Sequence, residues 1–139
     1  MSIRILPRGL EDEARRRTIR RVAAAASAAT AALYFGIGLG VLTVVAEVSP
    51  AAPSMFDFGM PAGAAFLLGA VLLFAVDQRL LWLLGAILQV GVIVMYIAIA
   101  PQRTPSFEVW GILIKVLQAT ILAALVYLLL PGPDRERAR

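Results

Sequence analysis

Val109–Leu130 reads VWGILIKVLQATILAALVYLLL. Coiled as a helix, this stretch of about 22 residues is roughly 33 Å long, enough to cross the hydrocarbon of a bilayer. It carries a single charge, Lys115, and a single amide, Gln118. Three more apolar runs precede it, at 22–46, 59–76 and 80–100, and none of the three contains a charged residue. With the last run taken as 108–130, four spans occupy most of the chain. The fold class that follows is all-α: one integral membrane domain, a four-helix bundle running up-down-up-down. Residues 1–21 and 131–139 remain as polar ends.

Composition agrees. The 139 residues are 60% hydrophobic, with a mean hydropathy of +0.85. A water-soluble domain of this size has too little interior to hide that much apolar side chain, so the solvent is lipid.

The connections are short. A continuous helix from Gly59 to Ala100 would run about 63 Å, twice the hydrocarbon thickness, so the chain must reverse at Asp77-Gln78-Arg79. Asp77 is placed to cap the following helix and Arg79 to anchor among headgroups. The other two loops, EVSPAAPSMFD at 47–57 and PQRTPSF at 101–107, are broken by prolines. Pro61 suits the first turn of the second span, and Ser106 with Glu108 suits the start of the fourth. Ala28, Ala32, Gly36 and Gly40 recur every fourth residue in the first span. Such a face allows close helix approach, and we expect it to pack inside the bundle.

Arginine sets the orientation. Eleven of the twelve arginines fall on one side of the four spans, and Arg103 alone on the other. Basic residues beside spans stay in the cytoplasm, and an even number of spans places both termini together. The expected topology is N-in and C-in. Abundant alanine, and arginine used almost to the exclusion of lysine, suggest GC-rich coding and a bacterial inner (cytoplasmic) membrane. Arginines before an apolar run also describe a signal peptide, but about 25 apolar residues exceed the core of one, so a retained span is expected.

A net charge of +4 does not indicate nucleic acid here, because the arginines cluster beside spans with no aromatic-interleaved basic face. The chain has neither His nor Cys. Disulfides, thiolate chemistry and histidine relays are excluded, and the usual ligands of zinc, haem and iron–sulfur clusters are missing. No metal or cofactor is expected.

Lys115 has two readings. A charge at bilayer depth costs a few kcal/mol and is a functional hypothesis by default. Lysine, unlike arginine, can also shed its proton in a protein interior. Against this, Lys115 lies only about six residues, roughly 9 Å, inside the outer end of its span, and its Cβ leans outward. Its stem can snorkel to the outer rim and meet an acid there, with Glu47 and Glu108 the expected partners. Gln89 and Gln118 lie near mid-membrane and need hydrogen-bond partners away from lipid, with Tyr34 and Thr120 as options. Lys115, Gln118, Gln89, Glu108 and Glu47 are therefore the candidate ligand or ion residues. No catalytic set is visible: there is no phosphate loop, nucleophile elbow, zinc helix or acid pair at mid-depth.

The expected function is that of a non-catalytic accessory or scaffold subunit, in contact with the lipid bilayer and with a membrane-protein partner or further copies of itself. The alternative is a small oligomeric transporter or channel, or a binder of lipid or quinone-type ligands, using Lys115 in an outward-facing crevice.

Overall fold

The computed structural model describes residues 8–44, 54–99 and 108–130. Four helices account for nearly all of them: α1 (Arg8–Gly38), α2 (Met55–Ala75), α3 (Arg79–Ile99) and α4 (Val109–Leu129). All four are long and apolar enough to cross a membrane.

The first helix differs from the expected span 22–46 at both ends. It is continuous with the polar segment before it, and its 31 residues make it about 46 Å long. Helix-favouring local order explains the extension: Glu11 lies in the first turn, and Arg17 bonds Glu13 one turn back. It stops at Gly38 through a Schellman turn. Gly40 adopts the left-handed conformation (φ +71°), Gly40 N–H donates to Ile37 O at 3.1 Å, and Val41 N–H donates to Gly36 O at 2.9 Å. Leu42 then folds back onto Gly36, where a Cβ would lie 2.9 Å from its Cδ1. Leu39–Val44 is apolar, yet it does not prolong the helix.

The second helix starts four residues before the expected Gly59. Ser54 is its N-cap: its Oγ accepts from Asp57 N–H at 3.1 Å, and Asp57 adds a charge suited to the first turn. Pro61 consequently sits in the second turn, not the first. The third and fourth helices match the expected spans to within a residue or two.

Hydrogen bonds fix the directions. Arg16 donates to Leu128 O and, at 3.3 Å, to Leu130 O, so the start of α1 meets the end of α4. Arg20 reaches Phe74 O at the end of α2, and Arg79 donates to Leu129 O at 2.9 Å. Neighbouring helices are therefore antiparallel. The last carbonyls of a helix have no intrahelical donor, and in lipid no water supplies one. Guanidinium groups complete them and also suit the negative end of each helix dipole. Asp77, expected to cap α3, instead pairs with Arg20 at 3.1 Å.

Packing order is α2–α1–α4–α3. α1 contacts both α2 and α4, α3 contacts α4, and α2 and α3 hardly touch. Three sides of the bundle are closed, and the fourth is a cleft. Half of the apolar part of α1 is buried, against 17% of that of α2 or α3. α1 is thus an inner helix, while α2 and α3 turn Val71, Phe74, Ile87 and Val94 outward. In lipid these exposed side chains carry no penalty.

The small-residue face expected to pack inward does not do so: Ala28, Ala32 and Gly40 are exposed. The buried face of α1 carries Ala23, Ser27, Thr30, Tyr34 and Gly38 instead. Its hydroxyls explain the choice, because Ser27, Thr30 and Tyr34 must be kept from hydrocarbon, whereas exposed methyl groups cost nothing there. Backbones approach most closely at Gly38 and Gly59, where a Cβ on Gly59 would lie 2.7 Å from backbone atoms of Gly38 and Tyr34. We expect Gly59→Ala to lower the unfolding midpoint in detergent, at a cost of about 1–3 kcal/mol. Gly91→Ala, where a Cβ meets nothing within 4 Å, should be neutral or slightly stabilising. Thermal unfolding followed by size-exclusion chromatography compares the two.

Candidate functional site

The polar side chains of α4 define the candidate site. Lys115 and Gln118 are three residues apart and share a face. The Lys115 ammonium donates to Gln118 Oε1 and sits over the ring of Tyr96 on α3, 4.7 Å from its centroid. Gln118 is fully buried, and its Nε2 donates to the Tyr34 hydroxyl of α1 at 3.5 Å. Tyr34 in turn stacks on Phe66 of α2 at 5.5 Å and meets Phe58 edge-on at 5.7 Å. One chain of contacts thereby crosses the bundle through all four helices.

Each link has a local cause. Gly111 leaves room on α4 for the Tyr96 hydroxyl, which would lie 2.6 Å from a Cβ there. Gly63 similarly faces the ring of Phe35. Ser27 Oγ donates to Phe66 O at 2.7 Å, holding the Phe66 turn against α1. Aromatic faces attract cations electrostatically, and the attraction grows as water is removed. A ring and an amide oxygen together replace part of the ammonium's lost hydration.

This geometry departs from snorkelling. Gln118 is one turn beyond Lys115 towards the C-terminal end of α4, so the half-buried ammonium turns away from the helix start. Lys115 forms no ion pair with Glu108. Glu108 is the N-cap of α4, makes no side-chain cap bond, and has a buried Oε1 without a hydrogen-bond partner. Glu47, the other expected partner, lies outside the described residues.

Gln118 finds Tyr34, one of the two partners considered for it. Thr120 serves neither glutamine and bonds Val116 O on its own helix at 2.9 Å. Gln89 stands apart. It is buried on α3, two turns before Tyr96 on the same face, and its Oε1 has no partner. Sequence reasoning missed the arginine-to-carbonyl bonds of Arg16 and Arg79. It also missed the spacing of Trp82, Gln89 and Tyr96, seven residues apart and so aligned on one face of α3.

Chemically, the Lys115 group is an amine held between an amide, a ring and the bundle interior. It can donate a hydrogen bond or bind an anion. It has no carboxylate beside it among the described residues to work as an acid–base couple.

No protein-family model matches this chain, and no curated protein or solved structure is detectably similar to it.

Gln118→Leu removes the acceptor of Lys115 and the donor to Tyr34 in one step. We expect it to destabilise the detergent-solubilised protein by about 1–3 kcal/mol. Lys115→Met should be close to neutral, because a partly desolvated charge is replaced by an apolar chain of similar length. The double variant should cost less than the sum of the two, with a coupling of about 0.5–2 kcal/mol measured in a thermal-unfolding cycle.

Proposed function

We propose that this chain is a small multi-pass membrane protein without catalytic activity of its own, acting as an accessory or scaffold subunit of a larger membrane assembly. The observation that carries this reading is how the polar groups inside the spans are used. Lys115, Gln118, Tyr34, Ser27 and Thr30 are engaged with one another or with backbone carbonyls, and the Gln118–Tyr34 and Ser27–Phe66 bonds tie α1 to α4 and to α2. The outward faces of α2 and α3 are large, apolar and little covered by the other described helices. An inner polar clamp with broad apolar outer faces suits a component that packs against other spans.

Both termini lie in the cytoplasm of a bacterial cell, and the membrane is the inner one. The clustering of Arg16, Arg20 and Arg79 at one end of the bundle supports this orientation, since arginine beside spans is retained on the cytoplasmic side. Lys115 then lies in the outer half of the membrane.

Affinity purification of the full chain in a mild detergent tests the assignment. A membrane protein recovered in fixed stoichiometry is the expected result. A homo-oligomer that instead retains a bound anion, and loses it on Lys115→Met, would overturn the scaffold reading in favour of transport or ligand binding. Topology is checked separately. The chain has no cysteine, so single replacements report cleanly. A membrane-impermeant maleimide should label Arg103→Cys in intact cells and Gln78→Cys only after the membrane is opened.

A further inference from the structure

The open side of the bundle holds a cleft of about 420 Å³, within the range of small-molecule sites. α2 and α3 form its walls, while Ser27 of α1 and Ile121 of α4 contribute to its floor. It runs from Val76 and Leu81, beside the α2–α3 turn, to Ala65 and Val92. Eleven residues of helix correspond to about 17 Å, roughly half of the hydrocarbon thickness. A partner helix crossing the membrane would need a groove of the full length. A flexible apolar chain needs only part of it.

The lining is apolar and carries no charged residue, but it includes Gln89. This side chain is 8% exposed, and its Oε1 accepts no hydrogen bond. An unmade hydrogen bond at this depth is costly, because lipid tails offer no donor. The terminal amide torsion of glutamine is broad, so a modest rotation presents either amide face to the cleft. Gln89 is the eleventh of the 21 residues of α3, about 15 Å from either end. A charged headgroup at that level would meet no counter-charge and a steep desolvation cost. A hydroxyl is uncharged, and it both donates and accepts, so it suits either face of an amide.

We infer that the cleft between α2 and α3 binds a neutral, lipid-soluble alcohol, with its apolar body along the helix walls and its hydroxyl on Gln89. This site is distinct from the Lys115 group and does not depend on the accessory role proposed above.

Trp82 lines the same cleft and supplies the probe. The chain has two tryptophans, so Trp110→Phe leaves Trp82 as the only reporter. This protein is placed in vesicles of phosphatidylcholine brominated on its acyl chains, which quench tryptophan on contact. Quenching of Trp82 is expected, followed by recovery when oleyl alcohol is added. Oleyl methyl ether, which cannot donate, should need about five times the concentration, as expected for one hydrogen bond. In Gln89→Met the two competitors should become equivalent, and Gln89→Leu serves if that variant does not insert. Unquenched Trp82 would overturn the proposal, as would equal competition by alcohol and ether in the parent. So would a disulfide-linked dimer from Leu88→Cys, which would assign the cleft to a second copy of the chain.

Discussion

A hydrogen-bonding group inside hydrocarbon must be satisfied by protein, and this constraint arranges the whole molecule. It selects the buried face of α1, where Ser27, Thr30 and Tyr34 align, over the stripe of smaller residues beside it. It also explains why α1 is central: no other helix carries three hydroxyls along one face. At the arginine end the same constraint acts on backbone. Arg16 and Arg79 complete the last carbonyls of α4, and Arg20 reaches the last turn of α2. The arginines from which the orientation is read in the sequence therefore also join helix ends.

The interior of the bundle divides into two layers. Near the arginines the core is close-packed alanine and leucine around Trp82, with the Arg16 guanidinium 5.8 Å from the indole centroid. Towards the other end Tyr34, Ile37 and Ile114 pack with larger side chains, and the Lys115 group lies beside them. The glycine contact between α1 and α2 sits in this second layer. Close backbone approach there holds the ring of Tyr34 against Phe66, so that its hydroxyl faces α4.

Much of this was legible in the sequence, and the parts that were not share a cause. Hydropathy located all four spans, because the penalty for polar groups in lipid acts on each residue separately. Partner choice depends on three-dimensional neighbours and left a weaker trace. The pairing of Gln118 with Tyr34 could be anticipated, since few polar atoms were available at that depth. The end of α1 could not, because Leu39–Val44 is as apolar as the helix before it and only the backbone at Gly40 departs. The start of α2 had a usable signal in Ser54 and Asp57, a serine three residues before an acid, which the surrounding prolines obscured. The inward turn of Lys115 depends on Tyr96, nineteen positions earlier on another helix. The separation of α2 from α3 has no signature in either helix alone.

That separation bears on biogenesis. A nascent chain emerges N-terminal end first, so α1 and α2 can form their glycine-tight hairpin while the rest is still being made. α3 then enters the bilayer with almost nothing to hold it, although a turn of only three residues tethers it to α2. Its docking surface arrives only afterwards, on α4, which touches both α1 and α3. Until α4 has been made the third segment is a loosely attached rod, and α4 is the latch that fastens it to α1.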